Sequence, residues 1–531
     1  MKKIVLAIVL PLVLFSCNPE NQLPVDNGGK EDTPADTVAP KPALVAPTNL
    51  NVQVTDVTKA TLTWENESTD YDGVEVQKAG PNGKYKMMGN VPAGVLTYND
   101  VAFTENGQYS YRLCSYKGNT YSDYAVVEFT ISGIPDPTPE LKIDKVETAT
   151  GVMFVYYSIV DDLGGTVDSG IEWGEGNSFS YSKRLRTGGS GLGFVFGPEG
   201  PTTIRAWAKP SSGGPIGYSE PQTVTPAAEP EAYNVTYTDV TPAGLPSEIK
   251  VYQASTTVTG KPTNIWYATA DLSTGNVELR ALCNDGSKKK TSVMATQAGT
   301  PYVFVNGGFF GGSTSVSYVL DQGTRISENS ASVARSDVNY YISRGVFGAT
   351  QSGETSVCWR FGGSVNGGPY FYPVPIPQIE GKTALVPSST FPAAPVNPGY
   401  YSAIGAGPVL IKDGTTRVNF HTISGVYSSN FELFPSDIYS SSTRQPRTAI
   451  GRTADGKVVL MVVDGRNTGV SEGVVLTDLA RLMKGVGCVD ALNLDGGGSS
   501  AFCAGLDMKV LNRPSDGSER AVTSIVGFAK K

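Results

Sequence analysis

Two aspartates in the last third of the chain each follow an apolar run. KVVLMVVDGR (457–466) carries Asp464 near its end, and VDALNLDGGGSS (489–500) carries Asp495 before three glycines and two serines. Runs that are apolar throughout are typical of strands buried on both faces. A carboxyl group at such a strand end can act as an acid, a base or a nucleophile. These two aspartates are therefore the first candidates for catalysis.

The segment between them, LTDLARLMKGVG, predicts a helix. Thr477 can cap it, Leu479, Leu482 and Met483 form one apolar face, and Gly485 can end it. Strand, helix and strand over about 30 residues have the size of a βαβ unit. A parallel pair joined in this way brings both carboxyl ends to one edge of the sheet, where open α/β sheets bind their ligands. We therefore expect the two aspartates to face the same crevice.

The glycines after Asp495 favour an anion site. Gly496, Gly497 and Gly498 allow positive φ angles and let backbone N–H groups converge on an anion without a Cβ in the way. Ser499 and the serine after it add hydroxyl donors. Such a loop beside a carboxylate suits a reaction in which a phosphate-bearing group departs. The alternative is a strand-end turn in which the aspartate bonds only its own loop, and the lysine of a P-loop is missing.

Further polar groups follow glycine motifs in the same region. VFVNGGFFGG (303–312) predicts a strand that ends in Asn306 and Gly307, and AIGAGPVLIKDG (403–414) predicts a strand and a turn. Arginine is suited to bidentate phosphate binding, although a single arginine is more often structural. Charge is scarce in this region, so three arginines are candidate phosphate ligands: Arg447, Arg513 and Arg520.

The composition indicates an exported protein rich in strands. The chain has 531 residues, 40% of them apolar and 17% charged, with 61 glycines, 35 prolines and a formal net charge of −8. This length suggests about three or four domains, and the composition favours short strands and turns. The basic residues form no stripe along the sequence, so we expect no nucleic-acid partner.

The cysteines and the histidine limit metal and histidine chemistry. Of six cysteines, five follow residue 17 without a CxxC pair, so we expect neither a zinc site nor a disulfide framework. One bridge, between Cys488 and Cys503, remains open. His421 is the only histidine, which excludes a two-histidine metal site and disfavours a Ser-His-Asp triad. We expect no metal and no cofactor; the alternative is a hard cation held by Asp464 and Asp495 through waters.

The first residues predict an export signal and a lipid anchor. Two lysines precede an apolar stretch, 4–14, that is too short to span a bilayer as a mature helix. The LFSC that ends at Cys17 resembles a bacterial lipobox, in which the cysteine is lipidated; a plain signal peptide is the alternative. We predict a lipoprotein signal at 1–17 and a proline-rich tether at 18–44. The lipid would be the only membrane contact, in the bacterial envelope at the outer membrane or cell surface.

We predict a multidomain chain in which two all-β sandwich modules precede the last domain. Residues 45–133 alternate with period two around Trp64 and Tyr109 and resemble a fibronectin type III module. Residues 141–226 predict a second, more divergent sandwich. Neither has a reactive cluster, so we interpret both as spacers, with protein or glycan contact as the alternative. The last domain, at 232–531, is predicted to be α+β or α/β with a central mixed sheet. We also expect a fragment of these residues alone to keep the full turnover.

Five motifs of the last domain resemble, in order, the phosphodiester glycosidase family. They are VNGGFFGG, GAGPVLIKDG, RTAIGRTADGKVVLMVVDGR, GVVLTDLARLMKGVGCVDALNLDGGGSS and LNRPSDGSERAV, and the resemblance covers residues 250–530. The family includes N-acetylglucosamine-1-phosphodiester α-N-acetylglucosaminidase, the lysosomal uncovering enzyme, and many exported bacterial proteins. The resemblance implies hydrolysis of the bond between a sugar anomeric carbon and a phosphate-ester oxygen, which releases sugar and phosphomonoester.

The resemblance also implies a pocket built from these motifs. Asp464 and Asp495 would be the catalytic pair, and Arg447 would be the arginine best suited to hold the phosphate. A proline-rich stretch between Pro369 and Pro398 departs from the family pattern and could reshape the substrate rim. The remaining residues of the implied pocket would bind substrate or phosphate: Asn306, Gly307, Arg466, Asn493, Gly496, Gly497, Gly498, Ser499 and Arg513.

The resulting hypothesis is a surface lipoprotein hydrolase whose partner is a carbohydrate or glycan phosphodiester, such as a GlcNAc-1-phosphodiester. Two alternatives remain open at this point. The same carboxylates could serve an ordinary glycosidase or phosphodiesterase, or the domain could bind glycans without turnover.

Overall fold

The computed structural model divides into two compact units, Met1–Asp136 and Pro137–Lys531. The predicted signal, Cys17 and the tether up to residue 43 lie outside the described residues. Within the described part of the chain, no helix is both long and apolar enough to cross a membrane. The structure describes residues 44–531 except 57, 102, 175–180, 187–190, 199, 212, 285, 336, 379–382, 419, 424–425, 430 and 435–442.

The first unit contains a two-sheet β-sandwich. Strands β1, β2 and β5 form one sheet, and β4, β3, β6 and β7 form the other, where β8 also pairs with β6. Trp64 and Tyr109 lie in the core between the sheets, as the alternation predicts. The strands are β1 (Thr48–Asp56), β2 (Lys59–Glu65), β3 (Gly73–Ala79), β4 (Tyr85–Pro92), β5 (Thr97–Asp100), β6 (Gly107–Lys117), β7 (Thr120–Tyr121) and β8 (Ala125–Ile131).

The second unit begins with another β-sandwich, here named the second module. One sheet has the order β13-β10-β9, and the other has the order β12-β11-β14-β15 with β16 beside β14. Met153 and Val155 from the first sheet pack against Ile204 and Ala206 from the second. The strands are β9 (Glu140–Ala149), β10 (Val152–Asp161), β11 (Thr166–Gly174), β12 (Tyr181–Arg186), β13 (Gly191–Phe196), β14 (Thr202–Pro210), β15 (Gly217–Tyr218) and β16 (Gln222–Val224).

The rest of the second unit, here named the C-terminal region, is built from many short strands. Those up to residue 349 are β17 (Thr238–Asp239), β18 (Ile249–Val258), β19 (Lys261–Ala270), β20 (Val277–Cys283), β21 (Pro301–Asn306), β22 (Phe310–Gly311), β23 (Thr314–Ser315), β24 (Val319–Asp321), β25 (Thr324–Ser327), β26 (Ser332–Arg335), β27 (Val338–Tyr341) and β28 (Arg344–Ala349). Those after it are β29 (Thr355–Phe361), β30 (Tyr370–Tyr372), β31 (Ser402–Ala406), β32 (Val409–Lys412), β33 (Thr415–Thr416), β34 (Phe420–Ile423), β35 (Val426–Ser429), β36 (Arg447–Thr453), β37 (Val458–Val463), β38 (Cys488–Asn493), β39 (Phe502–Ala504), β40 (Lys509–Val510) and β41 (Ser524–Lys530).

Helices are few in the described C-terminal region. Its α-helices are α1 (Thr291–Ala295) and α2 (Leu476–Gly485), and its 3₁₀ helices are Thr296–Ala298, Val365–Gly367 and Gly497–Ser499.

Three large sheets enclose the main core of this region. The long sheet has the order β17-β18-β19-β37-β36-β38-β32-β33; a five-stranded sheet has the order β20-β41-β21-β39-β40, and a six-stranded sheet β25-β24-β31-β28-β29-β30. Leu460 and Leu492 of the long sheet pack against Phe528 and Phe347 of the other two. The opposite face of the long sheet is covered by α2. Both faces of β37 are buried, as its apolar run predicts.

The long sheet corrects the prediction of a central mixed sheet. Each of its strand pairings is antiparallel. Strand β36 lies between β37 and β38, so that Ala449 pairs with both Met461 and Asn493. Because β36 is antiparallel to both, β37 and β38 still run parallel, joined by α2. Their carboxyl ends therefore share one edge, as the spacing predicts.

Helix α2 lies where the sequence predicts a helix, but it begins at a different residue. Val475 precedes its first residue, and no side chain caps it, so Thr477 lies inside the helix. Leu479 and Met483 are buried against the long sheet, as the apolar spacing predicts. The helix ends at Gly485, where a Cβ would collide with the carbonyl of Tyr233.

The five described cysteines are all free thiols. Cys488 packs with the residues under α2, whereas Cys503 packs in a separate cluster. The open alternative of a bridge between these two residues is therefore contradicted, because they lie in different parts of the core.

Candidate active site

One edge of the long sheet brings both predicted aspartates together with Arg447. Asp464 directly follows β37, and one residue separates Asp495 from the end of β38. Arg447 is the first residue of β36, the strand between them. Asn512 links the Asp464 carboxylate to the loop that follows Asp495. Its side-chain amide donates to Asp464 at 2.9 Å and to the carbonyl of Ser500, in the loop after Asp495, at 3.2 Å.

Asp464 is a buried carboxyl group with fixed orientation. It is 4% exposed. Besides the bond from Asn512, it accepts the backbone N–H of Arg513 at 3.1 Å and 3.2 Å on its two oxygens. Burial raises the pKa of Asp464 to about 6, and the donors from Asn512 and Arg513 limit the rise. A carboxyl group with this pKa can exchange a proton near neutral pH.

Asp495 is partly exposed and lies beside its own glycines. One of its oxygens accepts the N–H of Gly496 at 2.9 Å. Burial raises the pKa of Asp495 to about 6, against the lowering effect of the Ser499 hydroxyl, the Gly496 N–H and the charge of Arg520. The two aspartates thus have similar proton affinities, and Asp495 is the one that solvent reaches more easily.

Asn306 and Gly307 hold the backbone of the Asp495 loop in place. The Asn306 amide donates to the carbonyl of Asp495 at 2.6 Å, and its oxygen accepts from Thr448 at 2.7 Å and from the N–H of Ala501 at 3.2 Å. The carbonyl of Gly307 accepts the N–H of Asp495 at 3.0 Å. Asn306 is completely buried, so these two residues position the site rather than contact a substrate.

The glycine loop is closed by its own hydrogen bonds. The N–H of Gly497 donates to the Pro446 carbonyl at 2.9 Å, and that of Ser499 donates to the Gly496 carbonyl at 3.1 Å. With the Gly496 N–H on Asp495, most of these donors are occupied, which is the strand-end turn that the sequence left open as the alternative.

The glycines instead leave space for two arginine side chains. A Cβ on Gly497 would lie 2.9 Å from the guanidinium of Arg466, and a Cβ on Gly498 would collide with that of Arg520. Both arginines are exposed. Arg466 donates to the side chain of Gln445 at 2.7 Å, and Arg520 pairs with Asp516 at 2.7 Å. The absence of Cβ atoms therefore lets two cations approach the Asp495 loop.

Arg466 and Arg513 complete the positive surface around the aspartates. Arg466 has a φ of 59°, in the left-handed region that a residue with a long side chain rarely adopts. Such conformations cost free energy and cluster at functional sites. Arg513 is exposed, and its charge lowers the pKa of Asp464. Three exposed arginines thus lie near the two aspartates or the loop after Asp495, and burial raises the pKa of both carboxyl groups.

Arg447 has a different environment from the one its predicted role requires. It is 3% exposed, and its guanidinium donates to the carbonyls of Val474 at 3.1 Å and of Thr443 at 2.9 Å. These bonds tie together the loops that precede β36 and α2. The geometry therefore favours a structural role for Arg447.

Comparison with known proteins identifies this part of the chain. The sequence model of the phosphodiester glycosidase family matches residues 299–529. These residues belong to that family. The match covers Asp464, Asp495 and the residues around them, as the five motifs predict.

A curated relative matches a short part of the chain. An uncharacterized SPbeta prophage-derived protein, YomE of Bacillus subtilis (strain 168), is 43% identical over 81 residues, which is 15% of this chain and 12% of that protein. The chain thus spans about an eighth of the length of this curated relative.

Three solved structures resemble this chain with low TM-scores and low sequence identity. The catalytic domain of zebrafish N-acetylglucosamine-1-phosphodiester alpha-N-acetylglucosaminidase, auto-inhibited by its pro-peptide, has a TM-score of 0.38 and 18% identity, covering 56% of this chain and 89% of that one. A hypothetical protein from Synechocystis has a TM-score of 0.38 and 16% identity, covering 92% of both chains. A two-domain fibronectin type III segment of chicken tenascin has a TM-score of 0.21 and 13% identity, covering 34% of this chain and 97% of that one.

Two buried polar atoms of the phosphodiester glycosidase region have no hydrogen-bond partner. They are Oδ1 of Asn493 and Oγ of Ser499. The other end of the Asn493 amide donates to the Gly407 carbonyl at 2.8 Å, so its orientation is fixed. The Ser499 hydroxyl is close enough to lower the pKa of Asp495, although no contact meets hydrogen-bond geometry.

Sequence reasoning missed two neighbours of Asp464. Asn512 lies in the motif LNRPSDGSERAV, in which only the arginines are typical phosphate ligands. Trp266, on β19, also lowers the pKa of Asp464 through its side chain. No local pattern could reveal Trp266, because it reaches the site by pairing with Val462 of β37 from a distant part of the chain. Among the described residues, no three His, Cys, Asp or Glu side chains cluster as metal ligands.

Proposed function

We propose that the protein is an exported, lipid-anchored hydrolase that cleaves a sugar-1-phosphodiester, of the GlcNAc-1-phosphodiester type, to free sugar and a phosphomonoester. The observation that carries this proposal is the pairing of two aspartates of raised pKa with three exposed arginines on one sheet edge. Membership of residues 299–529 in the phosphodiester glycosidase family supports the reaction class.

The arginines suit a phosphate leaving group. Arg466, Arg513 and Arg520 carry their charge near the aspartates, and guanidinium groups bind phosphate oxygens through two parallel N–H bonds. A phosphomonoester has its second pKa near 6, so it departs as an anion with far less help from an acid than an alcohol needs. Stabilising the developing negative charge is then the main requirement, and fixed cations meet it.

The aspartates suit the attack on the anomeric carbon. A carboxylate with a pKa of about 6 is ionised at neutral pH and still basic enough to accept a proton from water. Asp495 is the more accessible of the two, so we assign to it the contact with the attacking water or the anomeric carbon. Asp464, held by Asn512 and Arg513, is the partner that exchanges a proton or stabilises positive charge on the sugar.

A paired-substrate assay tests this function. Purified protein is given a GlcNAc-1-phosphodiester and the matching aryl glycoside, and release of sugar is measured from each. Release from the diester alone supports the proposal. Equal release from both indicates an ordinary glycosidase. Binding without release from either indicates a glycan-binding protein.

The lipid anchor is a separate part of the proposal. It depends on the sequence LFSC at residues 14–17, after two lysines and a short apolar stretch. A single lipid chain binds membranes only weakly, whereas two or more chains on one cysteine would anchor the protein stably. The tether that follows would then hold the enzyme at a membrane surface.

A further inference from the structure

The second module has an apolar outer face that the C-terminal region covers. Val152, Phe154 and Phe194 point away from the module's own core, yet they are only 1%, 1% and 3% exposed. The outward residues of a sandwich sheet are ordinarily polar. Here Phe431 of the C-terminal region packs on this face, with its ring centroid 5.8 Å from Phe154, 4.9 Å from Phe194 and 5.6 Å from Phe196.

Polar contacts hold the module against the same region. The guanidinium of Arg417 donates to the carbonyl of Gly151 at 2.6 Å. Glu229, in the chain that leaves the module, accepts the N–H of Thr416 at 3.0 Å and pairs with Lys484 of α2 at 2.8 Å. The module is therefore docked on the C-terminal region by both its face and its connecting chain.

Phe431 begins a four-residue stretch, 431–434, here named the junction segment. Phe431 packs in the module, and Leu433 packs beside Tyr340 and Ile342 of the C-terminal region. The φ angles of Phe431 and Leu433 are 60° and 51°, in the left-handed region that large side chains rarely adopt. Strained conformations of this kind persist only where the surroundings fix them, and they cluster at functional sites.

Glu432 ties the junction segment to the loop before β32. Its carboxylate is completely buried and accepts the indole N–H of Trp359 at 3.1 Å and the backbone N–H of Val409 at 3.0 Å. The N–H of Gly345 donates to its other oxygen at 3.3 Å. That oxygen lies so close to Gly407 that a Cβ there would collide with it. Glu432 thus packs against Gly407 and accepts a hydrogen bond from Val409.

The loop at 407–409 in turn fixes Asn493. The N–H of Gly407 donates to the Asn493 carbonyl at 3.0 Å, and the Asn493 amide donates to the Gly407 carbonyl at 2.8 Å. Asn493 ends β38 and leaves its Oδ1 without a partner two residues before Asp495. A second path runs through Phe434, whose ring lies 5.5 Å from that of Phe309, in the loop after Asn306.

We propose that the second module is a positioning element of the active site, which acts through the junction segment on the Gly407 loop and Asn493. The inference rests on the proposed function for its kinetic consequence. On this proposal the second module, which the sequence predicts to be a spacer, contributes to the geometry of the active site. It also opposes the expectation that residues 232–531 alone keep the full turnover, because that fragment leaves Phe431 without its three ring partners.

Point variants of the full-length protein test this role. We expect Phe431→Ala and Phe196→Ala to lower kcat on the sugar-1-phosphodiester by about ten- to a hundredfold, since small displacements of a site from a distance have effects of this size. Amide hydrogen exchange should become faster at residues 405–410 and 491–496 in both variants. Phe431→Leu should restore a large part of both quantities.

The matched control is Met153→Ala, on the same strand as Phe154 but facing the module's own core. We expect this variant to keep wild-type kcat and wild-type exchange at both segments. The inference is overturned if the two Phe→Ala variants behave like Met153→Ala, or if Met153→Ala lowers kcat as much as they do. If wild-type protein turns over no diester, the proposed function fails, and the exchange measurement still decides the positioning role.

Discussion

The backbone N–H of Arg513 lies 3.1 Å from one carboxylate oxygen of Asp464 and 3.2 Å from the other. This bifurcated contact, together with the Asn512 amide, orients the carboxyl group while leaving its pKa raised to about 6 by burial. The same donor belongs to a residue whose side chain is exposed and positive. One residue therefore orients an aspartate through its backbone and, in the proposed function, would offer a cation to the substrate.

Replacing either aspartate should abolish most of the turnover. A carboxyl group that acts as acid or base in the transition state contributes about 10² to 10⁴ in rate, so Asp464→Asn and Asp495→Asn should each lose at least about a hundredfold in kcat. Steady-state kinetics on variants with wild-type-like thermal melts provide the measurement. Turnover within about tenfold of wild type would remove that residue from the catalytic pair.

The pH profile should reflect the raised pKa values. With both aspartates near 6, kcat/KM should fall as pH drops below about 6, where the attacking carboxylate becomes protonated. If the partner must carry a proton, the profile also falls above about 6 and becomes a bell. The substrate phosphodiester does not titrate in this range. A flat profile between about pH 5 and 7 would contradict the assignment of these groups.

Asp464→Asn should stabilise the protein at alkaline pH. The pKa of Asp464 is raised from 3.8 to about 6, so the folded state binds its proton more tightly and loses stability as pH rises through that window. Above it, removing the charge should recover up to about 3 kcal/mol. Thermal melts at pH 8 and pH 4 measure this. An equal effect at both, or a gain in the exposed control Asp507→Asn, would count against it.

Replacing the arginines one at a time should distinguish those that bind phosphate from the one that stabilises the fold. Arg466→Ala and Arg520→Ala should weaken kcat/KM on the diester by at least about tenfold, and much less on an aryl glycoside, which lacks the phosphate. Arg447→Ala should instead lower the melting temperature, because it removes donors from the carbonyls of Val474 and Thr443. A selective loss on the diester in Arg447→Ala with unchanged stability would restore the sequence-based assignment.

Cys17 should be the site of lipid attachment. Metabolic labelling with palmitate should mark the wild-type protein and leave Cys17→Ala unlabelled. A cysteine further along the chain, such as the buried Cys114, provides the control, since Cys114→Ala should keep the label. Equal labelling of wild type and Cys17→Ala would refute the lipoprotein prediction.

The sequence predicted the parts of the site that depend on local patterns. Apolar runs that end in Asp464 and Asp495, with a helix between them, were enough to put both carboxyl groups on one edge. They could not reveal β36 between the two strands, because hydrophobic periodicity does not specify a strand's neighbours. Arg447 is the first residue of that strand, and its burial follows from the same insertion.

The sequence and the structure give different reasons for the glycines after Asp495. The sequence indicates a backbone cradle for an anion, whereas Gly497 and Gly498 leave space for the side chains of Arg466 and Arg520. Glycine content alone cannot distinguish these cases, since both require the absence of a Cβ. Glu432 was missed entirely, because a buried carboxylate between tight turns leaves no periodic signal.

The order of strands in the long sheet also affects how the chain folds. In the long sheet, Ile265 of β19 pairs with Val463 of β37, and pairings between residues about 200 positions apart are slow to form. During synthesis, β18 and β19 can form a hairpin early, but the open edge of β19 must wait for β37. An unpaired apolar edge is prone to aggregate during that interval. We therefore expect the yield of folded domain to rise with chaperone supply and with faster completion of the chain.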